Sequence, residues 1–95
     1  MGTKKSKASV NPIRVGNKVL IRTVTLYHTG KIVEITKEEI VLVDAAWIAD
    51  TGRLNAALTA STAGEVEPFP DPVAVGRGSI VDVTNWRGEL PRTVK

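Results

Sequence analysis

Four serines, Ser6, Ser9, Ser61 and Ser79, are the hydroxyls considered for nucleophilic chemistry. None has a base at a signature spacing, and no Gly-x-Ser-x-Gly elbow is present. Glu38 and Glu39 are adjacent carboxylates. They would serve as an acid–base pair only in a dry cleft, and a polar hairpin tip leaves them solvated. His28 is the single histidine and there is no cysteine, which excludes a histidine cluster, thiolate metal sites and disulfides. Gly76-Arg77-Gly78-Ser79 has glycines fit for a phosphate loop. It leads into a strand, so it lacks the helix N-terminus on which such loops seat an anion. Arg77 can still offer a bidentate fork to a phosphate or carboxylate. The expectation is therefore no catalytic residues, no metal, no cofactor and no enzyme; a small hydrolase is the weakest alternative.

Binding chemistry is better represented. Tyr27, His28, Trp47 and Trp86 are stacking candidates, and Arg22, Arg53 and Arg77 are cations that could join Trp47 around an anionic ligand. Trp47 follows a strongly apolar run and is expected to pack in the core sooner than to serve as a platform. Trp86-Arg87 pairs two residue types that dominate buried contact centres. Phe69, inside a proline-rich strip, suits a knob on a partner or a plug for its own core. Charge is uneven along the chain. Residues 1–33 carry seven bases, Lys4, Lys5, Lys7, Arg14, Lys18, Arg22 and Lys31, and no acid, whereas residues 34–95 carry ten acids and six bases. A positive arm ahead of a mildly negative body reaches for an anionic surface, either nucleic acid or a neighbouring subunit. The expected partner contacts are Lys4, Lys5, Lys7, Arg14, Phe69, Trp86 and Arg87.

These residues need a scaffold. Ninety-five residues support one core. With few aromatics, aliphatic β-branched residues must fill it, which favours strands. The pattern predicts strands over 18–25, 31–35, 40–48, 73–75 and 79–84, with a turn at Tyr27–Gly30 and a polar hairpin tip at 36–39. Leu54, Ala57 and Leu58 recur at helical spacing, predicting one short helix over 51–60, capped by Asp50 or Thr51. Pro68, Pro70 and Pro72 predict stiff extended chain. The expected architecture is mainly β: a small five-stranded SH3-like or Sm-like barrel spanning 12–88, a basic arm at 1–11 and a tail at 89–95. A β-sandwich fragment is the alternative. No apolar run reaches the ~20 residues of a membrane span, and the lysines near the start precede no signal-type apolar stretch.

Gly30-x-Ile32-x-x-Ile35, Val41-Leu42-Val43-Asp44-Ala45 and Arg77-Gly78 resemble strands two to four of Sm-like proteins. That resemblance implies a small barrel, ring formation and RNA binding. Ile21–Thr25, Asp44–Arg53, Val66–Phe69 and Trp86–Pro91 resemble a family of small uncharacterised proteins of tailed bacteriophages. That resemblance implies a viral origin, for which capsid decoration proteins, other virion accessories and inhibitors of host defence are the common roles at this size. The expected function is a non-enzymatic virion subunit, made in the host cytoplasm, contacting virion neighbours or its own copies through the arm and the proline strip. The alternative is an oligomeric nucleic-acid- or nucleotide-binding module.

Overall fold

The structure is a computed structural model and describes residues 10–95. Lys4, Lys5 and Lys7, and most of the expected basic arm, lie outside the described residues. Among the described residues six antiparallel strands form one open sheet: β1 (Lys18–Thr23), β2 (Tyr27–Ile35), β3 (Glu39–Asp50), β4 (Glu65–Pro68), β5 (Val73–Gly76) and β6 (Ile80–Asn85). Among the described residues one α-helix, α1 (Leu54–Ala60), sits between β3 and β4. The main path runs β4-β3-β2-β1-β6, and β5 also pairs with β3. The mainly β class with one short helix is as expected; the strand count is six rather than five.

The central irregularity lies in β3. Lys31 faces Val43 and Thr29 faces Ala46, so β3 inserts one extra residue opposite Gly30. Asp44 absorbs it with φ 50°, a conformation open to Asp at modest cost. Gly30 is needed there for space: a Cβ would stand 2.9 Å from the Cβ of Leu42 and 3.3 Å from that of Ala45. The bulge divides the outer edge of β3 between two partners, β5 along Glu39–Leu42 and β4 along Ala46–Asp50.

Alternation then builds a core on each face of the sheet. On one face Val19, Ile21, Ile32, Ile40, Leu42, Ala45 and Val75 are buried together. On the other, Leu20, Ala46, Ile48, Ala63, Val66, Trp86 and Leu90 pack under α1 and the C-terminal segment. Both apolar faces of the near-continuous Ile40–Ile48 run are thus covered, which removes the need for a strictly alternating pattern.

Several expectations are corrected. Tyr27–Gly30 is strand, and the turn lies at 24–26, where the hydroxyl of Thr23 accepts from the Leu26 amide at 2.9 Å. Glu65–Pro68 joins the ladder instead of merely passing along it: Pro68, the strand's last residue, stands opposite Ala46, and Glu65, Val66 and Glu67 pair with Asp50, Ile48 and Trp47. Helix α1 starts three residues later than expected and has no side-chain cap. Asp50 instead accepts from the Gly52 amide at 2.8 Å. Residues 89–95 are not a loose tail. Leu90 is buried, and Lys95 and Val66 exchange backbone hydrogen bonds of 2.9 and 3.0 Å along the outer side of β4.

Candidate functional site

Where β1 turns into β2, the chain at Thr23–Leu26 stands across from β5, and the two do not pair. The gap is a groove of about 260 Å³ lined by Thr23, Val24, Thr25 and Leu26 on one side, Val73–Gly76 on the other, Ser79 at one end and His28. Pairing phase decides which backbone groups of the β5 wall are used by β3. The Arg77 amide donates to Glu38 O at 2.8 Å, which places Val73 and Val75 in hydrogen-bonded pairs with Leu42 and Ile40. Ala74 therefore turns its N–H and C=O away from β3, toward the groove side. The opposite wall presents apolar side chains to solvent: Val24 is 76% exposed and Leu26 38%.

His28 is only 7% exposed, and its Nδ1 is buried with no hydrogen-bond partner. Burial disfavours the imidazolium and holds the pKa below the ordinary histidine value. The ring of Phe69 stacks against it, with centroids 5.9 Å apart and planes at 22°. Trp47 faces His28 directly across the β2–β3 ladder, so its side chain shares the same face, and it is 38% exposed. Phe69, also 38% exposed, lines a second cavity of about 200 Å³ together with Asp44, Ala45, Pro68, Pro91 and Arg92. The half-exposed Trp47 and Phe69 thus flank an almost buried imidazole beside an apolar, hydroxyl-edged groove. Such a site can take an apolar side chain and hydrogen-bond a backbone beside it. Among the described residues no charged side chain lines the first groove.

The residues expected from sequence are scattered around this centre. Phe69 is part of it, and so is Trp47, which is 38% exposed instead of packed in the core as expected. Trp86, expected as an interface anchor, is a core residue 3% exposed, its indole N–H donating to Glu89 O at 2.8 Å. Arg87 is exposed next to it. Arg14 is exposed ahead of β1, its Nε donating to Asn11 O at 3.3 Å. The three arginines proposed for an anion do not converge. Arg22 is held by Asp82 of β6, which raises its already high pKa through the hydrogen bond and charge they share. Arg77 donates to Thr36 O at 2.8 Å, fastening the β2–β3 hairpin tip, and Arg53 is exposed at the start of α1. Among the described residues no group of three or more His, Asp or Glu side chains is placed to hold a metal ion, and no helix is long and apolar enough to cross a membrane.

No family model, curated protein or solved structure matches the chain. The groove, Ala74 and the Val24–Leu26 wall carry no motif. The signal available in the sequence was the adjacency of Tyr27 and His28 to an apolar turn, which marks aromatic groups without showing that one lies beside a cleft.

Proposed function

We propose that the chain is a non-enzymatic assembly protein, a capsid decoration subunit or other virion accessory, which grips neighbouring protein through the groove beside His28 and through its basic segment. The observation that carries this reading is the groove itself: exposed Val24 and Leu26 facing the unpaired Ala74 backbone, with Phe69 and Trp47 flanking His28. Exposed apolar side chains beside a free strand edge are what strand-adding contacts use. On this reading the sheet is a small SH3-like barrel left unclosed along one seam. Its end strands β5 and β6 are linked by a single 3-10 turn, Arg77–Ser79, and the groove is where a partner completes it. Lys4, Lys5, Lys7 and Arg14 then add long-range attraction to an acidic neighbour, and Arg87 lies on the exposed surface for a second contact.

The alternative of a nucleic-acid or nucleotide binder draws less support, because Arg22 is occupied by Asp82 and no cation lines the groove among the described residues. The test is incorporation. Virions of the source virus are purified, the chain is counted, and the count is repeated for Leu26→Asp. The assembly reading expects a copy number matching the shell, with loss of incorporation in the variant. Absence from virions, together with salt-dependent nucleic-acid binding by the free chain, would replace it with the alternative.

A further inference from the structure

Strand β6 ends the sheet, and its outer side pairs with nothing among the described residues. The Trp86 amide donates to Lys18 O at 2.9 Å. With the register Val19↔Asn85, Leu20↔Thr84 and Ile21↔Val83, this fixes which backbone groups point where. Thr84 and Asp82 bond to β1, while Val83 and Asn85 turn their N–H and C=O outward. The irregularity between Arg22 and Thr23 leaves Val81 as the extra residue of β6, with its side chain 55% exposed. β6 contains no proline, lysine or arginine; of the devices that guard an edge against pairing it has only the bulge at Val81 and the charge of Asp82, which Arg22 neutralises.

We infer that β6 is a homodimer edge, on which a second copy of this chain pairs antiparallel about a two-fold axis through Val83. The register follows from charge. Centring on Val83 sets Asp82 opposite the partner's Thr84, an acceptor opposite a hydroxyl. Centring on Asp82 would set two carboxylates face to face, which costs stability. Centring on Thr84 would place Asp82 opposite the partner's Trp86, beyond the strand's end, and shorten the paired segment. Arg22 already balances Asp82 on its own chain, so no unpaired charge enters the seam. The pairing satisfies the outward groups of Val83 on both chains and joins two six-stranded sheets into one. An isologous contact of this kind closes on itself and does not propagate into fibres.

The dimer deepens the assembly reading by giving it a homotypic contact, and it is separable from the groove: Leu26→Asp leaves it intact. The test uses the chain's lack of cysteine. Hydrogen-bonded antiparallel partners stand about 5.5 Å apart at Cα, inside the disulfide range. Val83→Cys should therefore oxidise to a covalent dimer, whereas Val33→Cys, exposed but remote from the edge, should not. In sedimentation equilibrium the native chain should be dimeric at micromolar concentration. Val83→Pro, which removes an outward N–H that the fold does not use, should be monomeric with an unchanged far-ultraviolet spectrum. A native chain that stays monomeric overturns the proposal. So does a dimer in which Val83→Cys fails to cross-link, whatever Val83→Pro does.

Discussion

Gly30→Ala adds one methyl group at the point where β2 runs closest to β3. The new Cβ would meet Leu42 Cβ at 2.9 Å, Leu42 Cδ1 at 3.1 Å and Ala45 Cβ at 3.3 Å. Two of these three atoms are Cβ atoms fixed to the backbone, and both residues are buried in the first core, so no rotamer change clears the space. The backbone at Gly30 is not in the left-handed region, so the penalty is crowding alone. Overpacking of this kind costs about 1–3 kcal/mol. For a domain of this size that lowers Tm by roughly 4–24 °C, at about 4–8 °C per kcal/mol. Gly76→Ala is the internal control: the same methyl group meets nothing within 4 Å, at φ −64° and ψ 126°. It should change stability by no more than about 1 kcal/mol, in the stabilising direction if the unfolded chain loses entropy. Urea unfolding of both variants, with m-values compared, supplies the assay. Equal midpoints for the two variants would refute the close crossing at Gly30, and with it the bulge at Asp44 that divides the edge of β3 between β4 and β5.

The buried His28 makes stability pH-dependent. Its folded pKa is lowered from the ordinary 6.5 by burial, so its contribution is complete above that value and is lost as pH falls through it toward the folded value. Urea midpoints should drop between pH 7 and pH 5, and His28→Phe should remove that part of the slope; a slope retained in the variant would assign it to other groups. Trp86→Ala should act as a core deletion, costing about 3–5 kcal/mol, a large part of the 5–15 kcal/mol typical of a whole domain. Thermal unfolding checks this, and a variant of native stability would show that the indole is not buried. Deleting residues 90–95 removes Leu90 from the second core and the backbone pairing with Val66. Hydrogen exchange at the Val66 amide should then accelerate and Tm should fall, whereas unchanged exchange would contradict the docking of this segment. The groove substitution Leu26→Asp, on a residue 38% exposed, should leave Tm within a few degrees, and a large drop would recast Leu26 as a core residue.

The strands around Ile21 and Ile40–Ile48 were legible because their apolar runs have no other stable use. Helix α1 was legible from Leu54, Ala57 and Leu58, although in the fold only Ala57 is fully buried and Leu58 packs at the edge of the second core. Tyr27–Gly30 misled because glycine reads as a turn by its backbone freedom, whereas here its lack of a side chain is what matters. The proline strip misled in the other direction: Pro68 sits at a strand end where its missing N–H costs no ladder bond. Trp86-Arg87 looked like an interface anchor because composition does not tell a buried tryptophan from an exposed one. That distinction required Leu90 and the Glu89 carbonyl to fold back over it. The groove was hidden for a geometric reason. Its walls come from residues 23–26 and 73–76, some fifty positions apart in the chain, and no local pattern records that two unpaired segments face each other across an open seam.

Hydrogen exchange of the chain, free and in its native assembly, tests the central proposal most directly. The amides of Ala74 and Gly76 on β5, and of Thr25 and Leu26 on the opposite wall, should be slowed on assembly, Ala74 most of all because its N–H points away from β3 and has no partner among the described residues. Unchanged exchange at these four positions, with slowing confined to other surfaces, would contradict the groove as the place where a neighbour is held.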